Sequence, residues 1–225
     1  MQKIRVKICC ICSVEEAKLA IAYGASALGL VGHMPSGPGV ISNLKISEIM
    51  KSVPPMVSTF LLTSETKAAA VIDHYKKVNT STIQIVDALE NRDYEQIQNE
   101  LPHVKIVQVI HVLDDKSVAE AIGVSRYVDA VLLDSGNPNL ETKELGGTGR
   151  THNWDLSRQI RDQIDIPVFL AGGINHNNAK QAIEHVQPFG VDLCSSVRTN
   201  GKLDENKLKL FFQTIQSIHQ HQSSI

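Results

Sequence analysis

Eight short runs rich in β-branched and aliphatic residues alternate with eight amphipathic stretches along this 225-residue chain, and that alternation limits the fold more than any single motif. The runs lie at 4–9, 27–31, 56–62, 82–85, 104–110, 128–133, 167–170 and 191–193. Helices are predicted over 14–23, 43–51, 65–78, 91–100, 116–122, 153–164, 177–186 and 204–219. Ser13-Val14-Glu15-Glu16 is a capping-box signature for the first helix, and Gly24 ends it. Regular βα alternation builds a parallel sheet, because parallel strands need a long crossover that a tight turn cannot supply. Open doubly wound sheets usually contain fewer strands, so eight repeats in this length predict a closed (β/α)8 barrel. The chain is expected to form one domain over 1–219, followed by a polar tail at 220–225.

In such a barrel the chemistry gathers at the C-terminal ends of the strands and in the loops that follow. Those places hold Cys9, the 32–39 loop, Thr63, the 84–87 stretch, His111, Asp134, Gly172 with Gly173, and Ser195 with Ser196. Composition narrows the ligand class by exclusion. With 22 basic and 24 acidic residues the formal charge is -2, which gathers neither nucleic acid nor an anionic membrane. Any anion must therefore be held by local groups, and a small phosphorylated molecule is the expected partner. Four cysteines, three of them at positions 9, 10 and 12, resemble neither a disulfide framework nor a paired zinc motif. The histidines show no HExxH spacing, so neither a metal nor another cofactor is expected. The chain reads as cytoplasmic, with no signal-like apolar segment at its start and no run of eighteen apolar residues.

Three small-residue loops close the second half: Gly146-Gly147-Thr148-Gly149, Ala171-Gly172-Gly173 and Cys194-Ser195-Ser196. Glycines let a backbone turn its amides toward a ligand and hydroxyls add donors. Gly147, Gly149, Gly172, Gly173, Ser195 and Ser196 are thus candidate phosphate ligands. Each glycine alone also fits a tight turn; convergence of all three loops at one barrel end is what favours phosphate. Asp134 ends the apolar run Ala130-Val131-Leu132-Leu133, where desolvation would favour its protonated form, the state a general acid needs. It could equally brace the following loop. Cys9 reads two ways as well, as a small buried hydrophobe or as a thiolate acting as base or nucleophile. A thiol base paired with a carboxylic acid suggests isomerisation by proton transfer. Lys7, Gln84, His111 and Arg198 are further candidate substrate contacts, although a lone histidine at a strand end is commonly structural.

Several of these residues together resemble phosphoribosylanthranilate isomerases. The likeness rests on Lys7-Ile8-Cys9 before a capped helix, Leu132-Leu133-Asp134, the 146–149 loop with Asn153-Trp154, Leu170-Ala171-Gly172-Gly173-Ile174-Asn175, and Pro188-Phe189-Gly190-Val191-Asp192. It runs in order from about residue 3 to about residue 212. The resemblance implies a metal-free barrel, a monomer or homodimer, that performs an Amadori rearrangement in tryptophan biosynthesis. It further implies that Asp134 protonates the ribose ring oxygen and that Cys9 removes the proton from C2.

Departures from the family pattern cluster at one end of the expected site. Cys10 and Cys12 stand where glycine and threonine are usual, and Gly39 stands where an arginine usually pairs with the anthranilate carboxylate. Gln84-Ile85-Val86-Asp87 and Ser195-Ser196-Val197-Arg198 also differ from the common pattern. Arg198 and His33 are the candidate replacement cations. Two alternatives remain open: a phosphosugar isomerase with another amine half, and a phosphate-ligand-binding barrel without turnover.

Overall fold

The computed structural model describes residues 3–222. Eight parallel strands close into a barrel in sequence order, from β1 through β8 and back to β1. They are β1 (Arg5–Ile8), β2 (Ala27–Val31), β3 (Ser58–Thr63), β4 (Thr82–Ile85), β5 (Lys105–His111), β6 (Ala130–Asp134), β7 (Val168–Leu170) and β8 (Gly190–Leu193). Between them run α1 (Val14–Tyr23), α2 (Asn43–Met50), α3 (Ala68–Val78), α4 (Asn91–Glu100), α5 (Lys116–Val124), α6 (Trp154–Gln163) and α7 (Ala179–Val186), with α8 (Glu205–Gln222) last. The expected barrel is therefore the one observed. Helix α8 continues through Gln222, past the boundary expected at 219, and residues 223–225 of the expected tail lie outside the described residues. The alternation also missed a single turn of 3-10 helix, Ser195–Val197, and a two-stranded hairpin, β9 (Arg198–Thr199) with β10 (Lys202–Leu203).

Two apolar layers explain the strand pattern. Ile4, Val6 and Ile8 face outward into the core between barrel and helices, with Leu28, Leu30, Ile83 and Phe211. The barrel interior is filled by Ala27, Phe60, Val107, Ala130 and Phe169, with Cys9, Leu62, Val109 and Leu132 nearer the mouth. Alternation along β1 thus inverts the usual reading of polar residues as solvent-facing. Its polar residue Lys7 points into the barrel and is 1% exposed. Register pairs Lys7 with Asp192 on β8, and the ammonium Nζ lies 2.7 Å from the Asp192 carboxylate. It also sits over the Phe60 ring, 5.3 Å from the centroid.

Local rules fix the ends of α1 as expected. Ser13 Oγ accepts from the Glu16 amide at 3.2 Å, and Gly24 closes the helix at φ 109°, a conformation that favours glycine. Glu16 departs from the capping box, in which its carboxylate would accept from the cap residue's own amide. Its carboxylate accepts instead from the amides of Cys12 and Leu203 and from Arg198, tying the β1 loop to the β9–β10 hairpin.

The buried pair makes a prediction about stability. Asp192→Ala leaves the Lys7 ammonium in the barrel without its counter-charge and should destabilise by about 3–5 kcal/mol in urea unfolding. Lys7→Met combined with Asp192→Leu should recover most of that loss. Equal losses in the single and double variants would show that packing, and not the stranded charge, sets the cost.

Candidate functional site

The C-terminal mouth of the barrel opens into a cavity of about 730 Å³, solvent at its entrance included. Cys9 follows the last residue of β1, one position beyond the strand and not within it as expected, and Asp134 is the last residue of β6. Both line this cavity, together with Gln84, Gly147, Gly149, Gly172, Gly173, Ser195 and Ser196. The structure therefore brings together both expected catalytic residues, all six expected phosphate ligands and one of four further candidates.

The other three candidates lie elsewhere. Lys7 sits within the barrel, held by Asp192, and so reaches the cavity by its field. His111 does not line the cavity: its Nε2 donates to the Val86 carbonyl at 3.2 Å, its Nδ1 is buried without a partner, and it borders a separate recess. Arg198 is a buried strut. It binds Glu16 at 3.0 Å and donates to the carbonyls of Cys9, Cys10 and Gly201, so it clamps the first loop from behind. Its alternation on a short hairpin gave no hint of that, because the partners come from the opposite end of the sequence. His33 borders another surface recess, beside His74.

The two catalytic candidates are each packed against a glycine. A Cβ on Gly29 would lie 2.8 Å from Cys9 Sγ and 3.2 Å from Lys7 Nζ, and one on Gly146 would lie 2.8 Å from Asp134 Oδ2. Thiol and ammonium thus share one small space. Cys9 is held below the ordinary thiol range, first by a hydrogen bond from Cys10 and then by the Lys7 charge, which together outweigh its burial. Lys7 itself stays protonated, because Asp192 and Cys9 more than offset the cost of burial. Asp134 moves the other way. Burial raises its carboxyl above the usual carboxylate range, although the Ser135 amide donates to Oδ1 at 2.8 Å and His111 and Lys7 oppose the shift.

Opposite shifts in two groups on one cavity are the arrangement needed for a paired base and acid at neutral pH.

The small-residue loops meet as the sequence suggested. Gly147, Gly149, Gly172 and Gly173 all have positive φ, so each turn depends on the missing side chain. Ser195 and Ser196 open the turn of 3-10 helix, and Ser196 Oγ is buried without a partner. Thr148 Oγ1 lies 2.7 Å from Ser135 Oγ, which stiffens the β6 loop over the same space. No arginine, lysine or histidine lines the cavity among the described residues. An anion there meets backbone amides and hydroxyls. The nearby cations are spent on carboxylates: Lys143 binds Asp87 at 2.5 Å and Arg150 binds Glu144. The remaining wall is apolar, formed by Val31, Met34, Leu62, Val86 and Leu145.

Asp192, Cys194 and Thr148 also line the cavity; the sequence placed Thr148 and Cys194 in the small-residue loops but singled out none of the three as a site residue. A charge alternating with apolar residues on β8 was the available signal for Asp192, whereas Cys194 offered none. Among the described residues no group of three or more His, Cys, Asp or Glu side chains is arranged to hold a metal ion, and no helix is long and apolar enough to cross a membrane.

Comparison with known proteins agrees with this geometry. A model of the N-(5'phosphoribosyl)anthranilate (PRA) isomerase family matches residues 6–214. N-(5'-phosphoribosyl)anthranilate isomerase 1 of Methanosarcina mazei is 31% identical over 229 aligned residues, covering 95% of each chain. The phosphoribosyl anthranilate isomerase of Thermotoga maritima superimposes with a TM-score of 0.82 at 26% identity, covering 95% of this chain and 99% of that one. A phosphoribosyl anthranilate isomerase solved in complex with reduced 1-(o-carboxyphenylamino)-1-deoxyribulose 5-phosphate superimposes with a TM-score of 0.79 at 25% identity, covering 95% and 99%. With a family match that spans nearly the whole barrel, this chain belongs to the N-(5'-phosphoribosyl)anthranilate isomerase family.

Proposed function

We propose that the protein catalyses the isomerisation of N-(5-phosphoribosyl)anthranilate to the 1-amino-1-deoxyribulose 5-phosphate product, an Amadori rearrangement in tryptophan biosynthesis. The observation that carries this reading is the opposed pair on one cavity wall: a thiol held low at Cys9 and a carboxyl held high at Asp134.

The glycine and serine loops hold the phosphate through amides and hydroxyls, which fixes the sugar between Cys9 and Asp134. Asp134 gives its proton to the ribose ring oxygen as the C1–O bond breaks, and the anthranilate nitrogen lone pair forms the C1=N bond of a protonated imine. The Cys9 thiolate then takes the proton from C2, and those electrons pass through C1 to nitrogen to give the enolamine. Tautomerisation to the ketose completes the change without a net gain or loss of atoms. The apolar wall of Val31, Met34, Leu62, Val86 and Leu145 suits an aromatic amine half.

One observation favours a second reading with the same chemistry. No side-chain cation lines the cavity among the described residues, so a carboxylate on the ring would lose its hydration without gaining an ionic partner. An amine half without that carboxylate fits the same wall.

Four outcomes are expected. Cys9→Ser and Asp134→Asn should each lower kcat by about 10²–10⁴-fold in a substrate-fluorescence assay while leaving phosphate-ligand affinity within a few-fold. Unchanged turnover in either variant would remove that residue from the mechanism, and unchanged turnover in both would remove the catalytic reading. Cys10→Ala takes away the donor that holds Cys9 low, so the Cys9 pKa rises. At pH 7 the thiolate fraction and kcat/KM then fall, about tenfold if the pKa climbs by one, and the deficit shrinks as pH rises through the thiol range. A deficit of the same size at every pH would assign Cys10 to packing. Finally, a phosphoribosyl aniline assayed beside the anthranilate substrate separates the two amine readings: a higher kcat/KM on the aniline compound would favour the second.

A further inference from the structure

Cys9, Cys10 and Cys194, three of the four cysteines, border the cavity at the mouth of the barrel. Cys194, after β8, donates its S–H to Cys10 with the sulfurs 2.8 Å apart, and Cys10 Sγ donates to the Pro38 carbonyl at 3.5 Å. Cys10 and Cys194 come from loops 184 residues apart in sequence. Cys10 is firmly held. Cys10 has φ 61°, an uncommon backbone for a residue with a side chain, and its carbonyl accepts from Arg198 at 2.5 Å and from Cys12 Sγ at 3.1 Å. Gly39 packs so closely on it that a Cβ there would overlap Cys10 Cβ. Cys194 lines the cavity and is half-buried, so a small solute can reach it, while Cys10 is buried behind it. The proposed isomerisation uses Cys9 and assigns nothing to Cys194.

We propose that Cys10 and Cys194 are a dithiol site for small hydroperoxides, which convert the pair to a disulfide across the mouth of the barrel. A disulfide bond is about 2.05 Å long and the two sulfurs already lie 2.8 Å apart, so closure asks for less than an ångström of movement. In the first step the Cys194 sulfur attacks the peroxide O–O bond; that bond breaks, an S–O bond forms, and hydroxide or alkoxide leaves to take up the thiol proton. In the second the Cys10 sulfur attacks the sulfenic sulfur, the S–S bond forms, the S–O bond breaks, and water leaves with the Cys10 proton. Two thiols and one hydroperoxide give one disulfide, one alcohol or water, and one further water, the peroxide accepting both electrons. The bond also consumes the Cys10 S–H, whose influence lowers the Cys9 thiol, so the Cys9 thiol moves back up.

The test uses the full-length reduced protein, freed of reductant and treated with stoichiometric hydrogen peroxide. After remaining thiols are blocked, a non-reducing tryptic digest is read by mass spectrometry. The expected product joins the 8–18 and 181–198 peptides, two hydrogens lighter than their sum, with fragmentation assigning the bond to Cys10. Dithiothreitol should release it, Cys194→Ser should abolish it, and Cys9→Ser should retain it. In the oxidised protein, iodoacetamide should modify Cys9 several-fold more slowly at neutral pH than in the reduced protein. A bond to Cys9 or Cys12, a bond between two chains, or a Cys194 that stays alkylatable after peroxide would overturn the site. An unchanged Cys9 alkylation rate in the disulfide form would overturn its link to the base. These readouts involve no turnover, so they stand or fall separately from the proposed isomerisation.

Discussion

A lysine enclosed in the barrel, with its charge answered by an aspartate on the neighbouring strand, is the interaction on which the site depends. Lys7 and Asp192 occupy matched positions on β1 and β8, the two strands whose pairing closes the barrel. Desolvating both charges is costly, and hydrophobic replacements often serve stability as well or better, so stability alone gives no reason for the pair. Its position gives one. A fixed positive charge a few ångströms below Cys9 favours thiolate over thiol, and because Asp192 satisfies that charge the lysine does not turn into the cavity to bind substrate. The same cation acts on Asp134 with the sign that would ionise it, yet burial dominates there and leaves the carboxyl high. At Cys9 a hydrogen bond and this charge outweigh burial, and at Asp134 burial outweighs the same charge, so the two groups shift in opposite directions.

Glycine supplies the clearance this requires. Gly29 and Gly146 stand against the thiol and the carboxyl, and Gly147, Gly149, Gly172 and Gly173 hold positive φ around the same cavity. Side chains at Gly29 and Gly146 would displace the thiol and the carboxyl themselves. Behind the first loop, Arg198 and Glu16 form a second charged assembly that clamps the Cys9 and Cys10 carbonyls. A guanidinium whose donors are used on carbonyls and a carboxylate is rigid scaffolding, which is why a cation close to the site in sequence terms is absent from its wall. The cavity consequently offers backbone and hydroxyl groups at its glycine and serine loops and apolar surface elsewhere, with no side-chain cation among the described residues.

The sequence made the barrel legible because periodicity and count are local properties. Eight βα repeats leave few topologies, and β2 and β4 fall on the residues expected for them. Cys9, Asp134 and the glycine loops were legible for a related reason: in a parallel barrel the end of a strand is the mouth of the site. What resisted reading were side chains whose role depends on a distant partner. Arg198 looked like a cation for the cavity and is a strut, His111 stands at a strand end but is bound to the Val86 carbonyl away from the cavity lining, and Cys194 gained meaning only when its sulfur met Cys10.

The sequence by itself therefore determined the architecture, through the count and spacing of its repeats, and supplied through motifs that resemble a known family a short list of candidate groups. Tertiary structure decided which way each group faces and what surrounds it. Alternation on β1 states that Lys7 and Ile8 point to opposite sides, but only closure of the barrel made the charged side the interior one. Burial, field and hydrogen-bond partners set the protonation of Cys9 and Asp134, and those are sums over residues far apart in sequence. No local pattern carries such sums, because proximity between β1, β6 and β8 exists only once the barrel has closed.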